Sequence, residues 1–412
     1  MKEKINNYIV NTIYFSFVLL PLALISGPLL SDFIISLSAV LFIIFSFVNK
    51  EYKYFKNWFF YIFIFFYFWC LICSVFSDYK LVSSLKSLVY FRFFIFALAV
   101  WFLFDYKKDL VKYIFYSLFF CFLILVVDGY IQYFTGENII GYKMHNVRIS
   151  SFFGDELIFG SYLSRLLPIL IALFYLSKIS KIRKYEYIFI VFLIFASVII
   201  FLSGERSSFL FVIFTFFYLI FMPNKYSKYL LFLVILLFSI ISIFSIQDKR
   251  ISDRMFKLTF DQAGITDNFS YQHKGHFLIA LDLFKSNKFF GVGPKNFQNH
   301  CRNNLKYQKL PYVCTSHPHN TYFQLLSETG FVGFFIIFSI FLYLCFLSIK
   351  HIYLKIRDRY YYFEFPRICI MASMLISLWP VIPTGSFFNN YINIIYFFPV
   401  GIFLWLENRK ID

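Results

Sequence analysis

Long apolar runs are the feature that most constrains this chain. A helix needs about twenty consecutive apolar residues to cross the hydrocarbon core of a bilayer. The sequence offers about twelve runs near that length, at residues 9–27, 30–48, 58–77, 87–104, 113–133, 161–177, 187–203, 207–222, 229–246, 331–349, 368–384 and 392–406. With 60% hydrophobic and 15% charged residues, the chain lacks the charges that cover a soluble domain. We therefore predict an all-α polytopic membrane protein with about twelve transmembrane helices.

The positive charge indicates topology. The formal net charge is +17, and most of it lies in short segments between apolar runs, which argues against a nucleic-acid partner. With the N-terminus inside, the cytoplasmic segments hold 21 Lys and Arg residues and the short outer loops hold 5. Positive residues are enriched on the cytoplasmic side of membrane proteins. Both termini are therefore predicted to be cytoplasmic.

One loop is long enough to form a soluble unit. It runs from about Gln247 to Asn320 and is predicted to lie outside because of the runs that flank it. Residues 277–284 have the pattern of a short amphipathic helix, and the glycines and proline of 291–294 indicate a turn. The predicted organisation is transmembrane helices 1–9 in residues 1–246, an outer loop in 247–330 and helices 10–12 in 331–412.

The cysteines fall into two groups. Cys70 and Cys73 have the spacing of a redox pair, but they lie inside an apolar run, which favours packing. Cys301 and Cys314 lie in the long loop. Two states are open for this second pair: a disulfide, if the loop faces an oxidising compartment, or free thiols.

Three arginines lie at or near the predicted outer ends of apolar runs. Arg206 is in a polar turn, Ser203-Gly-Glu-Arg-Ser, where it either pairs with Glu205 or lipid headgroups, or holds an anionic ligand. Arg148 is a second cation predicted on the same face. Arg165, early in the sixth run, either adds a third charge or extends toward the interface.

Two histidines lie close together at the end of the long loop, at His317 and His319. A neutral imidazole accepts a proton near pH 7, so His319 is a candidate for activating an alcohol acceptor. Structural histidines and a metal pair completed by Glu328 are the alternatives. A short amphipathic helix follows, and Gly330 is placed to end it before the next apolar run.

The run from His317-Pro-His319-Asn320 to Gly333 resembles the signature of the O-antigen ligase and O-antigen polymerase superfamily. Residues 277–294 resemble the second loop motif of that family, 203–207 its arginine-bearing turn and 148–154 the segment before its sixth span. In one place the sequence differs. Where the family usually has an arginine four residues before Phe277, this chain has His273, followed by Lys274.

The resemblance implies an inverting glycosyltransferase of the bacterial inner membrane, with its site facing the periplasm and neither metal nor cofactor. Its donor would be an undecaprenyl diphosphate-linked glycan, and its acceptor a lipid A-core hydroxyl or another lipid-linked glycan. By matching positions, the catalytic residues would be His319 and Arg206, the diphosphate-binding residues Arg206, Arg148, His273 and Lys274, and the supporting residues His317, Asn320 and Glu328.

The resemblance leaves ligase and polymerase as alternatives. A single large outer loop, with a second of about 27 residues, favours the ligase, because polymerases often carry two sizeable outer loops. A transporter for a lipid-linked anion is a third alternative from another class. A carrier is expected to place its charges near the bilayer midplane, whereas these are predicted at the outer face.

Overall fold

The structure is a computed structural model that describes residues 2–259, 271–308, 314–358 and 362–409. Most of the described residues are helical. In chain order the helices are α1 (Lys2–Ser26), α2 (Pro28–Asn49), α3 (Trp58–Val75), α4 (Lys80–Leu88), α5 (Phe91–Tyr106), α6 (Leu110–Thr135), α7 (Phe159–Leu176), α8 (Arg183–Leu202), α9 (Arg206–Phe221), α10 (Ser227–Gln247), α11 (Lys249–Ser252), α12 (Tyr271–Ser286), α13 (Phe297–Arg302), α14 (Leu305–Gln308), α15 (Thr321–Asp358), α16 (Phe365–Leu378) and α17 (Asn390–Asn408).

The apolar helices confirm the predicted fold class. Within the described residues, ten helices are long and apolar enough to cross a membrane, when the adjoining α4 and α5 are taken as one. Two further apolar helices are shorter, α9 with 16 residues and α16 with 14. Together they match the twelve predicted spans. The protein is a multi-pass, all-α membrane protein.

Burial separates the centre of the bundle from its rim. The apolar windows of α7 and α17 are 83% and 78% buried, whereas that of α10 is 28% buried. The interhelical packing of α5 on α17 and of α7 on α16 forms this centre. A helix that is apolar on all sides can lie either at the centre of the bundle or at its rim, since lipid tails are as apolar as leucine.

A kink at Gly330 divides α15. Gly330 has φ 66° and ψ −171°, which interrupts the helix between its first segment, from Thr321 to Thr329, and the predicted tenth span. A Cβ at this position would lie 2.0 Å from the carbonyl oxygen of Phe289, so the backbones can approach only at a glycine. The prediction that Gly330 ends the short helix is confirmed.

The segment between α10 and α15 has a small core of its own. The predicted amphipathic helix at 277–284 lies within α12, and both Gly291 and Gly293 adopt positive φ in the predicted turn. Cys301 and Cys314 form a disulfide, whereas Cys70 and Cys73 are buried free thiols, as the packing interpretation predicted. The core residues of this unit are Ile279, Ala280, Leu283, Val292, Phe297, Cys301 and Tyr307.

Candidate active site

The loop between α16 and α17 holds the histidine motif in place. The Thr384 N–H donates to the His319 carbonyl at 2.9 Å, and the Asn320 Nδ2 donates to the Pro380 carbonyl at 2.6 Å. The Asn320 Oδ1 accepts from the backbone N–H groups of Tyr322, at 2.9 Å, and Phe323, at 3.2 Å. Asn320 therefore caps the N-terminus of α15 and fixes where the motif begins.

Four histidine rings meet beside this loop. The His319 ring centroid lies 4.2 Å from that of His317, 5.1 Å from His276 and 5.8 Å from His273. His273 and His276 are three residues apart on α12, which places them on one helix face. We call His273, His276, His317 and His319 the histidine cluster. Sequence reasoning selected three of its members and missed His276.

His317 is held by hydrogen bonds on both ring nitrogens. Its Nε2 donates to the carbonyl of Thr384 at 3.3 Å, because a carbonyl can only accept. Its Nδ1 then accepts from the Ser316 hydroxyl at 2.9 Å. A histidine with both nitrogens occupied positions its neighbour and has no lone pair left for a substrate proton. The supporting role of His317 stays a prediction, and these two hydrogen bonds are compatible with it.

Three members of the histidine cluster, His273, His317 and His319, are neutral at pH 7. Burial and then the charge of His319 lower the pKa of His317 to about 3. Burial, followed by His276 and His273, lowers the pKa of His319 to about 4. Burial and the nearby Arg206 guanidinium also lower the pKa of His273. A neutral His273 can donate an N–H but does not supply the positive charge of the arginine it replaces.

Glu328 is a structural anchor within the motif. Its carboxylate is fully buried and accepts from the backbone N–H groups of Lys295, at 2.9 Å, and Phe297, at 3.0 Å. Gln324 Nε2 donates to the same carboxylate at 2.9 Å. These bonds tie α15 to the turn that follows α12. Lys295 also reaches Ser386 at 3.4 Å and lies close enough to His317 to lower the pKa of that ring further.

The turn before α9 carries Glu205 and Arg206 in different environments. The Glu205 carboxylate is buried and accepts from the Gly160 N–H at 2.8 Å, the Ser161 N–H at 3.1 Å and the Ser208 hydroxyl at 2.9 Å. It therefore binds the N-terminus of α7. Arg206 instead donates to the Thr259 hydroxyl at 3.4 Å. The alternative in which Arg206 pairs with Glu205 is wrong for the described residues.

Three guanidinium groups converge next to that turn. The Ile149 N–H donates to the Ser203 carbonyl at 3.4 Å, which brings the segment of Arg148 against the turn. Burial, followed by the charges of Arg148 and Arg206, lowers the pKa of Arg254. Arg254 Nε donates to the Gly204 carbonyl at 2.8 Å. A Cβ at Gly204 would lie 2.9 Å from that Nε, so glycine permits the approach. We call Arg148, Arg206 and Arg254 the arginine cluster.

The arginine cluster has spare hydrogen-bonding capacity and borders the histidine cluster. Arg148 donates from Nη2 to the Leu157 carbonyl at 3.0 Å, while its buried Nε has no protein partner. Arg206 lies close enough to His273 for its charge to lower the pKa of that ring. Lys274 follows His273 on α12 and is exposed. Like charges held together by the fold, with one nearby carboxylate, form an anion-binding environment.

Arg165 is not part of this arrangement. It is 2% exposed, lies 4.4 Å over the Phe211 ring and donates from Nε to Ser161 at 3.3 Å. The side chain thus packs inside the bundle. The interpretation that it extends to the interface is wrong. The Arg165 side chain contacts aromatic rings and Ser161 rather than the arginine cluster.

Residues 190–338 match a family model described as O-Antigen ligase. The predicted resemblance to the O-antigen ligase superfamily is confirmed over this segment. The match includes Arg206, Arg254 and the whole histidine cluster, whereas Arg148 and Thr384 lie outside it. A search of curated proteins gives no significant match.

Several residues of the candidate site escaped sequence reasoning. His276 carried a usable signal, since it lies three residues after His273 and directly before the helix predicted at 277–284. Arg254 and Lys295 carried none, because each is one cation among the many in a long loop. Thr384 contributes backbone atoms, which have no sequence signature. All four were brought to the motif by tertiary packing.

Proposed function

We propose that the protein transfers a glycan from undecaprenyl diphosphate to a hydroxyl of lipid A-core at the periplasmic face of the inner membrane. The observation that carries this proposal is the adjacency of the histidine and arginine clusters. Neutral imidazole beside grouped guanidinium charges suits a reaction in which an alcohol loses a proton while a diphosphate leaves.

His319 is the proposed general base. In the transfer, the acceptor oxygen attacks the anomeric carbon, its proton passes to His319, and the bond from that carbon to the diphosphate oxygen breaks. The configuration of the anomeric carbon is inverted. A pKa of about 4 leaves a lone pair on the His319 ring at pH 7. Binding of an anionic donor beside the ring raises its basicity, since a nearby negative charge favours the protonated form.

The arginine cluster is the proposed diphosphate site. Arg206 and Arg148 were expected there from the resemblance, and Arg254 adds a third guanidinium beside them. We propose that Arg254 supplies the positive charge that the family usually draws from the arginine at the position of His273. Guanidinium groups bind phosphate oxygens through paired hydrogen bonds and neutralise the leaving diphosphate. His273 and Lys274 border the same site from α12.

The acceptor assignment separates a ligase from a polymerase. The single large loop between α10 and α15 supports the ligase, as argued from the sequence. A deletion strain tests this directly. Long glycan chains stranded on the polyprenyl carrier are expected for a ligase, whereas single repeats attached to lipid A-core would assign the protein as a polymerase.

The transfer reaction is tested with purified protein, a defined lipid-linked donor and lipid A-core. His319→Ala is expected to abolish transfer, because it removes the proposed general base. His300→Ala is the matched control: this histidine of the same segment lies near Asp78 and Tyr79 instead. Full transfer by His319→Ala, with normal membrane insertion, would refute the proposed role of His319.

A further inference from the structure

A cavity lies at the end of the bundle opposite the candidate active site. It is formed by the start of α6, the end of α7 and the start of α8, and its volume is about 540 Å³. α8 runs 20 residues from Arg183 to Leu202, next to the Glu205–Arg206 turn, so about 30 Å of helix separates the two places. The charge distribution predicts that this end is cytoplasmic. The cavity is thus separate from the transfer site.

The floor of the cavity is a packed aromatic cluster. Phe115, Phe174 and Phe189 line it and are almost fully buried. The Phe174 and Phe189 rings stack with centroids 4.0 Å apart, and the Phe115 centroid lies 5.6 Å from that of Phe174. Such interlocked rings keep their places without a ligand. The floor is therefore preformed and apolar, as small-molecule sites usually are.

The mouth of the cavity is cationic. Lys112 and Lys178 line it together with Tyr116 and Tyr185, and its described lining contains no carboxylate. Lys112 Nζ lies 5.7 Å from the centre of the Tyr116 ring. Lys178 adopts φ 62° where α7 ends. Two ammonium groups above an apolar floor match a molecule with one anionic end and one hydrocarbon end.

We propose that this cavity binds one anionic phospholipid of the cytoplasmic leaflet. Its phosphate would lie between Lys112 and Lys178, and an acyl chain would cover Phe115, Phe174 and Phe189. Basic pockets between transmembrane helices on the cytoplasmic side are recognised by anionic headgroups. The site goes beyond the proposed transfer reaction and does not depend on it.

A neighbouring cavity provides an internal comparison. It has a volume of about 400 Å³ and is lined by Arg183 and Lys225, but also by Glu186. The Glu186 carboxylate accepts from the Tyr175 hydroxyl at 3.1 Å, which holds it in the lining. This carboxylate offsets one of the two cations. The first cavity, with two cations and no described carboxylate, is therefore the one that selects an anionic lipid.

The experiment uses the full-length protein in detergent, titrated with phosphatidylglycerol, phosphatidylcholine or inorganic phosphate, with bound lipid counted by native mass spectrometry. Phosphatidylglycerol is expected to bind in preference to phosphatidylcholine. The double variant Lys112→Ala with Lys178→Ala is expected to bind phosphatidylglycerol about 30-fold more weakly. Each lysine contributes about 1 kcal/mol at an anionic surface, and about 1.4 kcal/mol corresponds to a tenfold change in affinity. The control double variant, Arg183→Ala with Lys225→Ala, removes the same amount of charge and is expected to leave phosphatidylglycerol binding nearly unchanged.

Three results would overturn the proposal. They are equal binding of the two lipids, equal loss in both double variants, and inorganic phosphate displacing the lipid at comparable concentration. Either of the first two results would mean that Lys112 and Lys178 only help to orient the protein in the membrane. The third would mean that the site binds a soluble phosphate. If the alanine pair lowers the melting temperature in lipid-free detergent, the test uses Lys112→Gln with Lys178→Gln instead, which removes the charge and keeps most of the side-chain length.

Discussion

His317 and His319 lie with their ring centroids 4.2 Å apart, and both are held by the backbone of Thr384. The Thr384 carbonyl accepts from His317 Nε2, and its N–H donates to the His319 carbonyl. His319 adopts a positive φ of 55° in this arrangement. One residue of a distant loop thus orders both histidines, which leaves the His319 side chain to face the rest of the histidine cluster.

Stability is expected to fall as pH falls below about 6.5. Histidines of the unfolded chain take up protons near that pH, whereas folded His319 and His317 do so only near about 4 and about 3. Between these values the unfolded state binds more protons than the folded state. Each histidine therefore lowers the free energy of unfolding by about 1.4 kcal/mol per pH unit as pH decreases. The loss is complete below the folded pKa values.

Melting temperature measured in detergent from pH 8 to pH 4 checks this expectation. His317→Asn with His319→Asn is expected to flatten the profile between pH 6.5 and 4, because the groups that titrate differently have been removed. A profile as steep as that of the unmodified protein would show that other groups cause the loss.

Arg254→Ala is expected to weaken donor binding. It removes one of three grouped guanidiniums, and a charge-assisted hydrogen bond to phosphate contributes about 1.5–3 kcal/mol, or roughly 10-fold to 150-fold in KM for the donor. Arg250→Ala is the matched control, since Arg250 lies on the same segment but is exposed and pairs with Asp248. Transfer kinetics at varied donor concentration make the comparison. Equal effects of the two substitutions would place Arg254 outside the donor site.

Glu328→Gln is expected to destabilise the motif. The carboxylate accepts from two backbone N–H groups and from Gln324, and an amide can accept on only one of its two ends. Leaving a buried donor unsatisfied costs about 1–3 kcal/mol. Thermal unfolding of this variant is compared with that of Glu137→Gln, which changes an exposed carboxylate on another loop. A melting temperature matching that control would contradict the anchoring role of Glu328.

Removal of the Cys301–Cys314 disulfide is expected to loosen the segment between α10 and α15. The bond closes a loop of 13 residues, and a loop of about that length contributes about 3 kcal/mol in the chain-entropy model. Limited proteolysis of Cys301→Ser with Cys314→Ser is expected to cleave this segment faster. Reductant should accelerate cleavage of the unmodified protein and leave the variant unaffected, whereas faster cleavage of both would indicate another target.

The local part of the fold was predictable from the sequence because its signals are local. Each apolar run is helical over most of its length, since a helix satisfies its own backbone hydrogen bonds in lipid. Gly330 ends the first segment of α15 because its position requires a positive φ. His319 and Arg206 were selected from motifs of a few residues. The choice between a disulfide and free thiols at Cys301 and Cys314 remained open, because it depends on how a loop folds back.

The assembly of the site was decided only by the tertiary structure. His276 faces His319 because α12 packs on α15, and Arg254 reaches Gly204 across 50 residues of chain. Arg165 was expected at the membrane interface or beside the other arginines, and it lies in the bundle core against Phe211. Sequence spacing determined which segments are helical and which residues can perform chemistry. The contacts that join those residues depend on the packing of helices far apart in the chain, and no local pattern encodes them.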